Sequence, residues 1–456
     1  MNALKHWFAR QVVLPAHARW EGNDTHVRLA ELEESQFWSP QRIEELRIRR
    51  LRALLDHAQR HCPFWARRFA DCGLDPARVA SLSDLAVLPI LDKATVQTHR
   101  EEMRSRAHAD EDLFLNRTGG STGQPVVFHV DLARLASRKA ATIRHDEWTG
   151  WRPGDDAAYL WGARADAPLE TGWKPRVRAA LLGREIHLDT SSMTVADMAA
   201  YRDVLRRRRP KLYIAYANAI YLFARYLEET GSRDHHRPQA IVSSAEYLDP
   251  DRRTVIERVF DCRVFNRYGS RETSVIASEC EMHAGLHVNA ENVLVEIVRD
   301  GRAVAPGEQG KVLVTDLMNM GMPLIRYSLE DVATASADTC RCGRGLPLMA
   351  VAGGRVTDFL LAPDGRIVSG AALALYFVAN APGVGQVQLV QDRRDALVLR
   401  VVAAEGFGDA THRFFAEQMV RFFGPEMAFD VDVVDHIPLA PSGKHRLSMC
   451  SLDPLG

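Results

Sequence analysis

A short run of glycine and hydroxyl residues near position 120 is suited to binding an anion. It consists of Thr118, Gly119, Gly120, Ser121, Thr122 and Gly123. Glycine permits positive φ angles, so backbone N–H groups can converge on an anion to which the hydroxyls also donate. No lysine follows the last glycine, so this is not the GxxxxGK[ST] phosphate loop. Taken alone, the run fits a phosphate-binding loop or an ordinary hairpin turn.

Five further short motifs follow in chain order. They are Ser244-Ala245-Glu246, Arg267-Tyr268-Gly269-Ser270-Arg271-Glu272, Arg326-Tyr327-Ser328-Leu329-Glu330-Asp331, Gly354-Arg355, and a PLAPSGK run that ends in Lys444. Taken singly, each motif is a modest signal, and two of them have an ordinary explanation. Glu272 would pair with Arg267 or Arg271, and Lys444 would lie in an exposed turn.

A second group of residues has the composition of a zinc site. Cys280, His283 and His287 precede Cys340 and Cys342, which are separated by one residue. Thiolates and imidazoles are the ligands that tetrahedral zinc prefers, so the spacing predicts a structural zinc that joins two loops. One of the two histidines would complete the site, and the sequence does not decide which. The alternative is buried thiols and surface histidines.

Composition limits the class of protein. The 456 residues exceed one ordinary core, which predicts two or three domains. Lys plus Arg (58) nearly balances Asp plus Glu (59), so we expect neither nucleic acid nor a membrane as partner. No apolar run is long enough for a bilayer, and the N-terminus does not resemble a secretory signal. Seven cysteines without a signal predict reduced thiols and a cytoplasmic location.

The elements that must position these motifs alternate through the middle of the chain. Apolar runs near residues 157, 212, 240 and 264 are separated by helical patterns, which predicts an α/β fold with mainly parallel strands flanked by helices. After residue 286, short strands separated by turns predict a small antiparallel β unit. We place a boundary at the Gly353-Gly354 pair. It divides an N-terminal domain, 1–353, from a small α+β C-terminal domain, 354–456.

The ordered motifs resemble those of the adenylate-forming superfamily, which includes acyl-CoA ligases, luciferases and peptide-synthetase adenylation domains. Within it the chain is most similar to the phenylacetate–CoA ligase branch, and in particular to members from capsular-polysaccharide clusters. These members share the TGGSTG form, the NRYGSRE form and a Cys-x-Cys-Gly-Arg element. The resemblance runs from about residue 45 to 447.

The resemblance implies roles for the motifs in ATP binding and catalysis. Residues 118–123, with Thr118 among the catalytic group, would wrap the β- and γ-phosphates, and Glu272 would hold magnesium. Tyr268 would stack on adenine, with Ala245 and Glu246 on the same face and Ser244, Arg267, Gly269, Ser270 and Arg271 alongside. Asp331 would bind the ribose, beside Arg355. Lys444, on a mobile C-terminal domain, would stabilise charge at the α-phosphate.

The implied reaction joins a carboxylic acid to AMP with release of pyrophosphate and then transfers the acyl group to coenzyme A. Trp161-Gly162 and the helix with Ala217, Asn218 and Tyr221 would form the acid pocket. Aromatic residues there, with Tyr213 and Tyr216, would favour an aryl acid, although these rings equally fit the core. In the alternative outcome, the acyl group or AMP passes to an amine, a sugar or another acceptor instead of coenzyme A. A further alternative is a nucleotide-binding protein without catalysis. Two places depart from the family pattern: Leu329-Glu330 stands where Thr-Gly usually precedes the ribose-binding Asp, and Thr357 stands two residues after the hinge arginine, where Asp or Lys is usual.

Overall fold

The computed structural model describes residues 2–117, 126–161, 179, 181–190, 195–355, 359–364, 367–438 and 447–452. Its N-terminal part is helical. The helices are α1 (Asn2–Phe8), α2 (Leu14–Trp20), α3 (Thr25–Ser35), α4 (Pro40–His61), α5 (Pro63–Cys72) and α6 (Lys93–Met103). In α4, the side chain of Ser39 caps the first turn, and Leu51, Leu54 and Leu55 on one face are fully buried.

Two short strands, β1 (Leu113–Arg117) and β2 (Val127–Asp131), form an antiparallel hairpin. Its last pair is Arg117 with Val127. Residues 118–125 lie between them and outside the described residues. The hairpin therefore fixes the positions of the residues that flank the TGGSTG run.

The predicted parallel strands, together with a further strand β4, form one half of a twelve-stranded sheet. They are β3 (Ala157–Trp161), β4 (Glu185–Asp189), β5 (Leu212–Tyr216), β6 (Ala240–Ser244) and β7 (Arg263–Ser270), in the order β4-β3-β5-β6-β7. The central strands β5 and β6 are apolar and buried on both faces, which is typical of parallel sheets. Their carboxyl ends lie at the same edge, where α/β proteins commonly bind ligands.

Helices cover this half, as predicted. They are α7 (Leu132–Trp148), α8 (Val195–Arg208), α9 (Ala217–Glu229) and α10 (Pro250–Phe260). A cluster of buried apolar side chains, including Tyr213, Phe223 and Phe260, fills the space between α8, α9, α10 and the strands. Within the described residues, no helix combines the length and the apolar character that crossing a membrane requires.

The antiparallel strands continue the same sheet beyond β7. They are β8 (Ser274–Glu279), β9 (Leu286–Val288), β10 (Val293–Arg299), β11 (Arg302–Ala303), β12 (Gln309–Asp316), β13 (Tyr327–Ala335) and β14 (Leu348–Arg355). The order from the edge is β11-β10-β12-β13-β14-β9-β8-β7. The antiparallel pairing of β7 with β8 joins the two halves, so the predicted β unit is hydrogen-bonded to the parallel strands rather than separate from them.

The chain after residue 358 has its own core. It contains β15 (Phe359–Leu361), β16 (Ile367–Ser369), α11 (Gly370–Asn380), β17 (Val384–Arg393), β18 (Ala396–Ala403), α12 (Asp409–Phe423), β19 (Ala428–Val433) and β20 (Ser448–Cys450). Strands β19-β18-β17-β20 form one sheet, and Phe377, Phe415 and Met419 are buried beside it. The predicted α+β character is confirmed. The predicted boundary after residue 353 falls inside β14 and stays a prediction.

Candidate functional site

A turn between β7 and β8 carries the Tyr268–Glu272 motif. The hydroxyl of Ser270 accepts a hydrogen bond from the Thr273 amide at 3.1 Å, which closes the turn. Gly269 is required there, because a Cβ atom on it would lie 2.4 Å from the Ser274 carbonyl oxygen. The turn leaves Arg271 exposed and Glu272 buried.

Two tyrosines connect this turn to β13. The hydroxyl of Tyr327 donates to Glu272 Oε1 at 3.0 Å, and the hydroxyl of Tyr268 donates to Asp331 Oδ2 at 2.7 Å. We call these four residues the Tyr–carboxylate pairs. They bring together two predicted site residues that are separated by 59 positions. No role was predicted for Tyr327 from the sequence.

The Tyr–carboxylate pairs lie next to the hairpin that frames the TGGSTG run. Asn116 of β1 and Val130 of β2 line one small cleft together with Glu272, and the rest of the lining consists of Arg134, Leu135, Arg138, Arg271 and Ser274. The two strands that flank the predicted phosphate loop therefore line the same cleft as the predicted magnesium ligand. Residues 118–123 themselves lie outside the described residues, as do Gly162 and Lys444.

The carboxyl edge of the parallel strands carries the Ser244-Ala245-Glu246 motif. Ser244 pairs with Tyr216 on one side and Arg267 on the other, so the ends of β5 and β6 lie beside Arg267 of β7. Ala245 has a φ angle of +66°, which is uncommon for a residue with a Cβ atom. Such strain concentrates at functional sites. Glu246, which follows it, is exposed.

Two aromatic side chains lie at the same edge. The rings of Trp161, at the end of β3, and Tyr216, at the end of β5, stack with centroids 4.1 Å apart. Tyr221, on α9, is half-buried and lies under the guanidinium of Arg252. Tyr213, by contrast, is fully buried and makes an edge-to-face contact with Phe260, so it belongs to the core. Ala217 is buried at the start of α9, and the side chain of Asn218 is not among those described.

Arg267 has a structural role in this arrangement. Its guanidinium donates to Asp146 of α7 at 2.5 Å, and both side chains are buried. Burial raises the pKa of Asp146 although Arg267 opposes the shift. The predicted ion pair of Arg267 with Glu272 is therefore not formed. Arg355 lies opposite Asp331 in the β13–β14 ladder, and its side chain is not among those described.

Four of the predicted zinc ligands converge in the antiparallel half of the sheet. The ligand atoms of Cys280, His287, Cys340 and Cys342 all lie within 4.8 Å of one another. We call this set the Cys–His cluster. The Sγ atoms of Cys280 and Cys340 are 3.6 Å apart, and Cys342 Sγ is 3.4 Å from His287 Nε2. All seven cysteines are free thiols.

These distances match the edges of a tetrahedron around one ion. With Zn–S near 2.3 Å and Zn–N near 2.0–2.1 Å, tetrahedral geometry places two sulfurs about 3.7 Å apart and a sulfur and nitrogen about 3.5 Å apart. Burial lowers the pKa of His287 to about 4, so its imidazole is neutral at pH 7, as a metal ligand requires. His283 is engaged elsewhere, since its Nδ1 lies 3.1 Å from Glu279 and 2.7 Å from Arg253.

Comparisons with known proteins agree with this geometry. A family model of the CapK C-terminal domain matches residues 360–449. Protein CapK of Staphylococcus aureus is 22% identical over 413 residues, which are 89% of this chain and 88% of that protein. A phenylacetate–coenzyme A ligase of Thermus thermophilus is 24% identical over 327 residues, 70% of this chain and 72% of the ligase.

These relatives support the resemblance of the chain to the adenylate-forming superfamily, and within it to CapK and the phenylacetate–coenzyme A ligases. A crystal structure of 2-hydroxyisobutyryl-CoA ligase in complex with R3-HIB-AMP has the same fold, with a TM-score of 0.71 over 92% of each chain at 19% identity.

Proposed function

We propose that the protein activates a carboxylic acid with ATP as an acyl-AMP, releases pyrophosphate and transfers the acyl group to coenzyme A. The observation that carries the proposal is the convergence of Glu272 and Asp331, through Tyr327 and Tyr268, beside the hairpin that holds the TGGSTG run. The ligase relatives and the acyl-AMP bound in the similar crystal structure support it.

In the first step, an oxygen of the substrate carboxylate attacks the α-phosphorus of ATP, and the bond to the bridging oxygen of pyrophosphate breaks. The chain would supply no nucleophile of its own, so its residues position the reactants and balance charge. Residues 118–123 would donate to the β- and γ-phosphates, and Asp331 would accept hydrogen bonds from the ribose hydroxyls. Glu272 would hold magnesium, which neutralises phosphate charge when bound.

Tyr327 and Tyr268 would orient the two carboxylates, since each donates a hydrogen bond to one of their oxygens. Lys444, carried on the C-terminal part of the chain, would place its ammonium at the α-phosphate during adenylation. In the second step, the thiolate of coenzyme A attacks the acyl carbonyl and AMP leaves.

The acid pocket is proposed to lie at the carboxyl edge beside β3 and β5. The stacked rings of Trp161 and Tyr216 offer a flat aromatic wall at this edge, and half-buried Tyr221 lies on the helix that follows β5. Aromatic rings prefer offset-stacked or edge-to-face neighbours, so such a wall favours an aryl acid over an aliphatic one.

A structural zinc at the Cys–His cluster is a separate proposal. Three thiolates and one neutral imidazole form a closed Cys₃His site with no position for substrate. The ion would join the segment after β8 to the segment before β14.

Because free thiols of this kind persist in a reducing compartment, we also place the protein in the cytoplasm.

The test is to incubate the purified protein with ATP, magnesium and a panel of aryl and aliphatic acids, and to measure AMP and pyrophosphate. Coenzyme A is then added to one set of reactions and hydroxylamine to another. The proposal expects pyrophosphate release that depends on an acid, with a thioester formed only when coenzyme A is present. Acid-dependent hydroxamate without any thioester would instead assign the acyl group to an amine, a sugar or another acceptor.

A further inference from the structure

Asp331 is presented by an irregular stretch of β13. The pairing of β13 with β12 shifts between Leu313↔Ser328 and Lys311↔Val332, which leaves residues 329–331 as a bulge. The pairing with β14 shifts at the same place, between Asp331↔Arg355 and Val332↔Gly353. Bulges next to active sites re-aim a side chain, and here the re-aimed carboxylate meets Tyr268.

The bulge depends on a residue in an unfavourable conformation. Glu330 has a φ angle of +61°, in the left-handed region that residues with a Cβ atom rarely adopt. Such a conformation persists only where contacts with the surrounding structure stabilise it, so Glu330 requires a stabilising contact.

A lysine from a distant helix contacts this residue. Lys93, at the start of α6, donates from Nζ to Glu330 Oε2. The lysine side chain is 19% exposed and that of the glutamate 34%, so water screens the pair only in part. Lys93 is itself anchored, because Asp92 caps α6 through the Thr95 amide.

Backbone hydrogen bonds bring the two segments into register. The Leu91 amide donates to the Arg326 carbonyl at 3.0 Å, and the Ser328 amide donates to the Leu91 carbonyl at 2.9 Å. They place Lys93 beside the bulge but end two residues before Glu330. Among the hydrogen bonds described, only the one from the Lys93 side chain joins this segment to Glu330, the residue with the strained φ.

We propose that Lys93 is a positioning residue for nucleotide binding: it holds Glu330 in the left-handed bulge that aims Asp331 at the ribose. The inference rests on the proposed function, in which Asp331 binds the ribose hydroxyls. It assigns to Lys93 a role through another residue rather than contact with the nucleotide. Loss of Lys93 should therefore weaken recognition of the ribose and leave recognition of the other parts of ATP unchanged.

The test compares ATP with 2′,3′-dideoxy-ATP in acid-dependent pyrophosphate release. The wild-type protein should discriminate between them, because the analogue lacks the hydroxyls that Asp331 binds. Lys93→Ala should raise KM for ATP about 3- to 10-fold, with kcat nearly unchanged, and should leave KM for the analogue unchanged. Arg67→Ala is the matched control. Arg67 of α5 pairs with Glu102 of α6, the helix that Lys93 begins, and none of the hydrogen bonds or ion pairs described joins Arg67 to β13, so both KM values should stay at the wild-type level.

A second variant separates positioning from direct contact. Glycine adopts positive φ without strain, so Glu330→Gly should bind ATP like the wild type. Lys93→Ala added to Glu330→Gly should then have no further effect. An equal loss in both backgrounds, or a parallel loss for ATP and the analogue, would overturn the inference. If the wild type consumes ATP but fails to discriminate, the role of Asp331 is refuted, whereas a wild type without acid-dependent ATP turnover refutes the proposed function itself.

Discussion

The Tyr–carboxylate pairs and the Cys–His cluster lie in the antiparallel half of one sheet and its junction with β7, and they are built differently. The cluster is complete within residues 280–342, and Cys280 and His287 are fully buried. Tyr268 and Asp331 are half-buried, and the site that they help form needs residues 118–123 and Lys444 from elsewhere in the chain. A closed set of soft ligands suits a structural ion, whereas an open set of carboxylates suits a substrate that enters and leaves.

This contrast has a measurable consequence. Substitutions in the Tyr–carboxylate pairs, in residues 118–123 or at Lys444 should change reaction rates with little effect on the free energy of unfolding. Changes at the Cys–His cluster should alter stability with little effect on the rate of the folded enzyme. The first three predictions below test this division, and the fourth tests the backbone strain at Ala245.

Lys444→Ala should lower the rate of acyl-AMP formation about 100- to 1,000-fold, because charge at the α-phosphate is then left without its cation. The melting temperature should stay the same, since a single side chain in a catalytic segment contributes little to the core. Rapid-quench measurement of acyl-AMP checks the rate. An unchanged adenylation rate would contradict the role assigned to Lys444.

Cys340→Ser should lower the free energy of unfolding by about 3–5 kcal/mol, because the zinc site loses one of its four ligands. Chemical denaturation with the metal content measured in parallel checks this. Cys72→Ser is the matched control, as this half-buried thiol lies outside the cluster. Wild-type protein purified without chelator and found to contain no zinc would dispose of the metal site.

Tyr327→Phe should reduce kcat/KM for ATP about 10-fold, since Glu272 loses the hydroxyl that orients it. The magnesium concentration needed for half-maximal rate should rise as well. Tyr226→Phe removes a hydroxyl from the helix-covered core of the parallel half and should leave the magnesium dependence unchanged. An equal response of both variants would show that Tyr327 has no special link to the metal.

Ala245→Gly should raise the free energy of unfolding by about 0.5–1 kcal/mol, because glycine adopts a φ angle of +66° without strain. Ala200→Gly, at an exposed position in α8, should have the opposite sign, since glycine weakens a helix interior. Denaturant titration of the two variants side by side provides the measurement. Destabilisation by both substitutions would show that Ala245 is not strained.

Much of the fold was predictable because its signals are local. The apolar runs that became β3, β5, β6 and β7 and the helices between them follow from periodicity and turn residues. The convergence of Cys280, Cys340 and Cys342 was predicted from ligand type. The choice of His287 over His283 was not, because it depends on Glu279 and Arg253 occupying the other imidazole.

The contacts among the site residues could not be predicted from the sequence, because they also depend on residues that are distant in the chain. Arg267 was assigned to ATP binding with its motif, yet its direction depends on Asp146 of α7, which is 121 residues away. Tyr327 and Lys93 act through contacts across 55 and 237 residues that no local pattern reports. The merging of the antiparallel strands with the parallel sheet likewise depends on the β7–β8 pairing.

Glu272 and Asp331 are proposed to form one nucleotide site for acid activation. A direct test is the exchange of radiolabelled pyrophosphate into ATP, measured with the wild type, Glu272→Gln and Asp331→Asn in the presence of an accepted acid. We expect acid-dependent exchange in the wild type, a loss of about 100-fold or more for Glu272→Gln, and a raised KM for ATP for Asp331→Asn. Exchange that persists at the wild-type rate in both variants would contradict it.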